Sequence, residues 1–290
     1  MNTKNAILLI FILTLCTSNC FAQRNQIVYG NNAAVGHYAN VNGIKMYYEI
    51  YGKGQPLLLI HGNGGSIHAG RKQIDFFAKH FRVIAADSRG QGKTNDNSDS
   101  LTYSLMTEDF NAFLDYLHLD SVLIFGQSDG AIIGLLLAAR HPEKVKMLAA
   151  MSPNLQPDDS VFYPKVAMLD HKWYDKTQQE LDAGKPGSVA AMKLERLMMF
   201  HPHISDSELQ NIKAPVLIMT ADRDEIRLSH IIEIFRSIPK ANLCVLPGSV
   251  HFALVQNPEL FNYVLYHFYR TPFMMPDTYD YLLYMFNKTE

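Results

Sequence analysis

Ser121-Val122-Leu123-Ile124-Phe125-Gly126-Gln127-Ser128-Asp129-Gly130-Ala131-Ile132-Ile133-Gly134 is the stretch on which the fold turns. An apolar run of strand length ends in a Gly-x-Ser-x-Gly pentad and passes straight into a helix-length segment, Ala131 to Arg140. A sharp strand-to-helix turn at this spacing pushes a serine hydroxyl out at the carboxyl end of a sheet, and the flanking glycines remove the Cβ atoms that would clash there. The helix N-terminus below favours developing negative charge. Ser128 is therefore the candidate nucleophile.

Outward from this turn, short β-rich runs alternate with helical stretches, the pattern of an α/β protein with a mostly parallel sheet covered by helices on both faces. Eight runs read as strands: Tyr38 to Val41, Ile44 to Ile50, Pro56 to Ile60, Arg82 to Ala86, Ser121 to Phe125, Val145 to Met151, Pro215 to Thr220 and Ala241 to Leu246. Asn42-Gly43 between the first two is a two-residue hairpin turn, so the sheet begins antiparallel. Phe110, Phe113, Leu114 and Leu117 are spaced as one face of a helix over Tyr103 to Leu119.

One interval breaks the rhythm. Residues 154–213 are far more than one crossover helix needs, and they read as a small helical lid inserted into a core of 23–153 and 214–290. Val161 to Leu181 and Ser188 to Phe200 are its helices. Its apolar side chains Trp173, Met192, Leu194, Leu197, Met198, Met199 and Phe200 either pack on the body or line a substrate cavity; Trp173, Met198 and Met199 are the substrate-binding candidates. After a last core helix, Pro258 to Tyr269, the apolar tail Pro276 to Phe286 reads as one more docked helix.

With the elbow and the strand order in hand, the chain resembles the α/β-hydrolase family from about Asn40 to Arg270, and four further segments carry the resemblance. His61-Gly62-Asn63-Gly64-Gly65 looks like the family's oxyanion loop, which implies that the N–H groups of Asn63 and Asp129 bind an oxyanion, with His61 structural. Asp87-Ser88-Arg89-Gly90-Gln91-Gly92 is similar to a loop that shapes the floor of the site in these hydrolases. Its continuation, Gly92-Lys93-Thr94, imitates the end of a phosphate-binding loop, but that motif requires glycine where Asp87 stands, which excludes nucleotide binding. Pro247-Gly248-Ser249-Val250-His251-Phe252 looks like the histidine loop and implies His251 as general base. Ala221-Asp222-Arg223-Asp224 follows the seventh strand where the family shows Gly-x-x-Asp, so Asp224 takes the acid position and Asp222 is its rival. The order Ser128, Asp224, His251 matches the family's order.

The resemblance implies acyl transfer to water, with a small carboxylic ester as the default substrate and carbon–carbon bond cleavage or small-molecule reception as alternatives. Epoxide hydrolases and haloalkane dehalogenases of this fold carry aspartate at the position of Ser128. The Ser-Asp-Gly elbow also resembles that of the biphenyl-hydrolase-like group, whose members include hydrolases of α-amino-acid esters. Two roles for the Asp129 carboxylate stay open: pairing with a substrate ammonium, or tying the elbow to a neighbouring loop. This chemistry implies neither cofactor nor metal, and His201-Pro202-His203 lacks further regularly spaced ligands, reading instead as a helix terminus.

A formal charge of −2, with both signs scattered along 290 residues, provides no basic field for nucleic acid or anionic membranes, so the expected partner is a small molecule. Oligomeric state is not written in the sequence. The amino terminus has the order of a secretory signal over 1–22: Lys4, the apolar run Ile7 to Leu13, then Cys20-Phe21-Ala22 before Gln23. That run is shorter than the roughly 18 residues a bilayer span needs, so export to a periplasmic or extracellular location is expected, without stable membrane insertion after cleavage. Lipidation at Cys16 or Cys20 is disfavoured by Leu15 and Asn19 before them. Cys244, flanked by Leu243 and Val245, is expected to be a buried strand thiol.

Overall fold

The structure, a computed structural model, describes residues 27–288. The expected signal segment, with Cys16, Cys20 and the cleavage point after Ala22, lies outside the described residues. No described helix is long and apolar enough to cross a membrane.

Eight strands form one sheet: β1 (Gly36–Val41), β2 (Ile44–Tyr51), β3 (Pro56–Ile60), β4 (Arg82–Ala86), β5 (Val122–Gln127), β6 (Val145–Met151), β7 (Val216–Arg223) and β8 (Ala241–Val250), in the order β1-β2-β4-β3-β5-β6-β7-β8. β2 pairs antiparallel with β1 and β4, and all other neighbours are parallel. Val41 faces Ile44 across the first turn, where Asn42 and Gly43 take φ of 44° and 77°, the left-handed values a tight hairpin turn requires.

The described helices are α1 (Arg71–Phe77), α2 (Tyr103–Tyr116), α3 (Asp129–Arg140), α4 (Pro164–Asp182), α5 (Ser188–Phe200), α6 (Asp206–Leu209), α7 (Leu228–Ser237), α8 (Ala253–Gln256), α9 (Pro258–Arg270) and α10 (Thr278–Asn287). Alternate side chains along a strand point to opposite faces, so a sheet buried on both sides needs two cores. Leu58 and Ile60 of β3 join Phe110, Phe113, Ile132 and Ile231 from α2, α3 and α7. Leu57 and Leu59 join Ile74, Phe77, Phe261 and Leu265 from α1 and α9. The pentad serine is thus anchored between two cores, β5 being buried along its whole length.

Between β6 and β7 the chain makes α4, α5 and α6, and α4 packs along α5. Met192 and Leu197 of α5 are buried, Leu197 within the larger core, whereas Trp173 and Phe200 are exposed. The apolar stripe therefore divides between packing and open wall.

Two expectations are corrected. The tail forms α10 but buries none of its residues, because a short helix that is apolar all round offers no single face on which to dock. Cys244 is half-buried, since β8 is the edge of the sheet and lacks a neighbouring strand on one side.

Candidate active site

Ser128 occupies the turn between β5 and α3 with φ 54° and ψ −118°, a sparsely populated backbone region for a non-glycine residue. Close packing enforces it. A Cβ on Gly126 would lie 2.1 Å from the Gly130 carbonyl oxygen, and one on Gly130 would lie 2.2 Å from that of Ile60, so backbone fills the space a side chain would need. The Ser128 N–H donates to Met151 O at 2.8 Å, tying the turn to β6.

The ladder between β7 and β8 explains how two distant residues come together. It runs from Val216↔Ala241 to Ala221↔Leu246, slips, and resumes at Arg223↔Val250. Asp224 and His251, the next residue on each strand, leave the sheet side by side, and His251 Nδ1 lies 2.8 Å from Asp224 Oδ1. The slip turns Asp222 outward: it is exposed, and its Oδ1 accepts the Ser249 N–H. Of the two aspartates, Asp224 is the one that meets His251.

Asp224 is buried among donors. Its Oδ2 accepts from Ser152 Oγ at 2.5 Å, Thr220 Oγ1 at 3.2 Å and Ala221 N at 3.2 Å, and its Oδ1 from Glu225 N at 2.8 Å. Burial opposes its ionisation, but the hydrogen bonds and charge of His251 and the Ser152 hydroxyl outweigh it and hold the carboxyl below its usual range. Burial pulls the other way on His251, tending to neutralise it. The Asp224 bond, with the charges of Glu225, Asp224 and Asp129, prevails and raises the imidazole above its ordinary value.

Asp129, first residue of α3, is buried, and both its oxygens are occupied: Tyr103 donates to Oδ1 at 2.7 Å and Asn63 Nδ2 to Oδ2 at 2.9 Å. This is the loop-tying role. Burial pushes its pKa up to about 6, against the lowering effect of those two bonds and of His251. Thr102 caps α2 by accepting the Leu105 N–H, which fixes the helix start that carries Tyr103. Asn63 is thereby pinned on the loop after β3, beside the amino end of α3.

His61 is buried and structural: its Nε2 accepts the Ser88 N–H at 3.0 Å, so Nδ1 carries the proton given to Gly62 O at 2.7 Å. The Asp87 loop is also scaffold, the carboxylate accepting the N–H groups of Ile67 and Lys93. His201 caps the end of α5, and no cluster of metal-ligating side chains occurs among the described residues.

Two joined chambers open at Ser128. One, about 400 Å³, is lined by Asn63, Trp173, Leu194 and His251; the other, about 290 Å³, by Tyr103, Asp129, Phe162 and Met199; Met198, Asp170, Glu195 and Glu225 border both. Trp173, Met198 and Met199 thus all reach the cavity. Neither wall contains lysine or arginine, and burial raises the carboxyls of Asp170, Glu195 and Glu225. The sequence reading missed Tyr103, Ser152 and these three carboxylates; only Glu225, adjacent to Asp224, stood next to a motif already singled out.

The family model of the alpha/beta hydrolase fold matches residues 55–208. RutD of Azorhizobium caulinodans, named as a carbamate hydrolase, is 24% identical over 259 residues, 80% of this chain and 97% of that protein. The 2-hydroxy-6-oxo-6-(2'-aminophenyl)hexa-2,4-dienoic acid hydrolase of Metapseudomonas resinovorans is 35% identical over 124 residues, 41% of this chain and 43% of that one. Among solved structures, the enol-lactonase from Burkholderia xenovorans superimposes with a TM-score of 0.67 at 20% identity, covering 81% of this chain and all of its own, a likeness of fold.

Proposed function

The chain belongs to the alpha/beta hydrolase family and is a hydrolase, and from that premise we propose that it cleaves a small carboxylic ester through an acyl-enzyme on Ser128. The observation that carries this reading is the Asp224–His251 pair, joined at 2.8 Å, with His251 bordering the same cavity as the strained serine turn. Asp224 accepts the Nδ1 proton and thereby leaves Nε2 as the nitrogen able to take a proton.

In this mechanism Ser128 Oγ attacks the ester carbonyl while His251 Nε2 takes the hydroxyl proton. The N–H groups of Asn63 and Asp129 hold the oxyanion. The intermediate collapses, the C–O bond to the alcohol breaks, and the alcohol leaves with the proton from Nε2. Water then gives a proton to Nε2 and attacks the acyl carbon; collapse releases the acid and returns the proton to Ser128 Oγ.

The likeness to the dienoic acid hydrolase favours carbon–carbon bond cleavage as a second reading, because the same serine and histidine serve both reactions. A wall that combines Asp170, Glu195 and Glu225 with no lysine or arginine stands against an anionic dienoate and favours a neutral or cationic ester. Export, supported by the order of residues 1–22, belongs to the same proposal, and mass spectrometry of the native protein should find an amino terminus near Gln23 rather than Met1.

The direct test is labelling with a fluorophosphonate, followed by turnover of p-nitrophenyl and aminoacyl esters, lactones and vinylogous diketones. Labelling at Ser128, lost in both Ser128→Ala and His251→Ala, with ester turnover is the expected result. A protein that neither labels nor turns over any ester would overturn the proposal.

A further inference from the structure

His251 has a carboxylate at each ring nitrogen. Beyond Asp224 on Nδ1, Glu225 Oε1 lies 3.3 Å from Nε2, the nitrogen that must face Ser128 for the serine to lose its proton. Among the described residues, no hydrogen bond joins Ser128 Oγ to Nε2. We propose that Glu225 is a positioning residue: its charge holds His251 by Nε2, and catalysis requires Nε2 to change partner from Glu225 Oε1 to Ser128 Oγ. This rests on the reading of Ser128 as nucleophile and His251 as base.

The logic is a count of protons. Carboxylate charge facing both ring nitrogens favours a proton on each. One is the Nδ1 proton given to Asp224. The second is favoured on Nε2 by the charge of Glu225, whose Oε1 stands at an ion-pair distance of 3.3 Å without hydrogen-bond geometry, and while that proton stays there His251 cannot accept another. When it leaves to solvent, a lone pair on Nε2 faces a carboxylate and the contact becomes repulsive, whereas the Ser128 hydroxyl is a donor. Losing one proton therefore both frees the base and drives it toward the serine.

The neighbours work in the same direction. Asp224 on the acid loop, Asp129 at the start of α3 and Asp170 on α4 all place negative charge toward His251, and Glu195 of α5 borders the same chambers as Glu225. His171 is turned toward Asp159, at 3.1 Å. Glu225 itself is held by backbone at both ends, its N–H on Asp224 Oδ1 and its carbonyl accepting the Tyr163 N–H at 3.1 Å, so its side chain is not free to leave the site altogether.

The experiment is an NMR titration of His251 in isotope-labelled wild type, Glu225→Gln and Glu225→Asp, beside the pH dependence of fluorophosphonate labelling. Glutamine removes the charge; aspartate keeps it one methylene further from Nε2. Expected is a wild-type midpoint above the ordinary histidine value of about 6.5, lowered by at least about half a pH unit, a threefold change in acidity, in Glu225→Gln, with an intermediate value for Glu225→Asp. The acid limb of labelling should move to lower pH with it. If Glu225→Gln does not fold, Glu225→Asp must still lower the midpoint. An unmoved midpoint in the folded variants overturns the proposal. A midpoint that moves as expected in a protein that never labels would leave Glu225 as the partner of Nε2 and overturn the hydrolytic reading instead.

Discussion

Replacing Asp129 by asparagine separates two roles that a carboxylate in this position can play. The structure assigns both oxygens to protein donors, Tyr103 and Asn63, at 2.7 and 2.9 Å. Asparagine keeps an oxygen for Tyr103 but sets an amide against the Asn63 amide, donor against donor. A hydrogen bond to a charged acceptor contributes about 1.5–3 kcal/mol, so roughly that much anchoring of the Asn63 loop is lost. If the loop then shifts its N–H from the oxyanion, removal of one such donor costs about 2.7–4 kcal/mol in the transition state, or 10²–10³ in kcat. The expected outcome is a fall in kcat between about tenfold and a thousandfold with KM little changed, equal for an aminoacyl ester and its des-amino analogue matched in size. The gap should also narrow as pH falls through about 6, because protonated Asp129 can no longer accept at both oxygens. A loss confined to the ammonium substrate would refute the reasoning, since it would mean that the carboxylate faces substrate rather than Asn63.

Asp224→Asn should lower kcat by about 10³–10⁴ by fixing the wrong imidazole tautomer, while Asp222→Asn, at an exposed carboxylate outside the pair, should stay within about threefold; the reverse ranking in steady-state kinetics would show that the acid loop has a different register. Removing one wall charge in Asp170→Asn or Glu195→Gln should raise kcat/KM for a carboxylate-bearing ester relative to a neutral one by roughly fivefold, as about 1 kcal/mol of repulsion at intermediate dielectric is relieved. An unchanged ratio would mean that those carboxylates are neutral or distant when substrate is bound.

Most of the sheet was legible because parallel strands buried on both faces are short continuous apolar runs, and Pro56 to Ile60, Arg82 to Ala86 and Val145 to Met151 keep their expected bounds. β5, β7 and β8 run further than expected, through Gln127, Arg223 and Val250, since glycine, proline and polar residues interrupt the apolar pattern there and the added residues are held by strand pairing. That extension matters most for the site. The sequence favours Asp224 by its spacing but leaves Asp222 as a rival, and the slip between Ala221 and Arg223 shows which of the two meets His251. The partners of the buried carboxylates were not legible at all: Tyr103 is 26 residues from Asp129 and Ser152 is 72 from Asp224, and neither lies in a recognisable motif. The tail misled for the opposite reason, because apolar composition sets how much surface asks to be buried but not whether a partner face exists.

The division of labour usual in such a fold, with chemistry on the loops at the ends of the strands and selectivity on an insertion, is only partly realised here. The first residues of the insertion are fastened to the acid loop: Phe162 bridges Ile226, the Arg227 N–H donates to Val161 O at 2.8 Å, and Arg227 Nε donates to Phe162 O at 2.7 Å. Asp224, which meets His251 Nδ1, Glu225, which faces its other nitrogen, and Ile226, which lines a chamber, are consecutive. A displacement of α4 that reshaped the wall at Asp170 or Trp173 would therefore pull on the same few residues that set the protonation of the base. In the proposed reaction selectivity and basicity share a segment of backbone, so substitutions at the Phe162–Ile226 junction should alter kcat and KM together, whereas truncation of Met199, outside that junction, should act on KM alone.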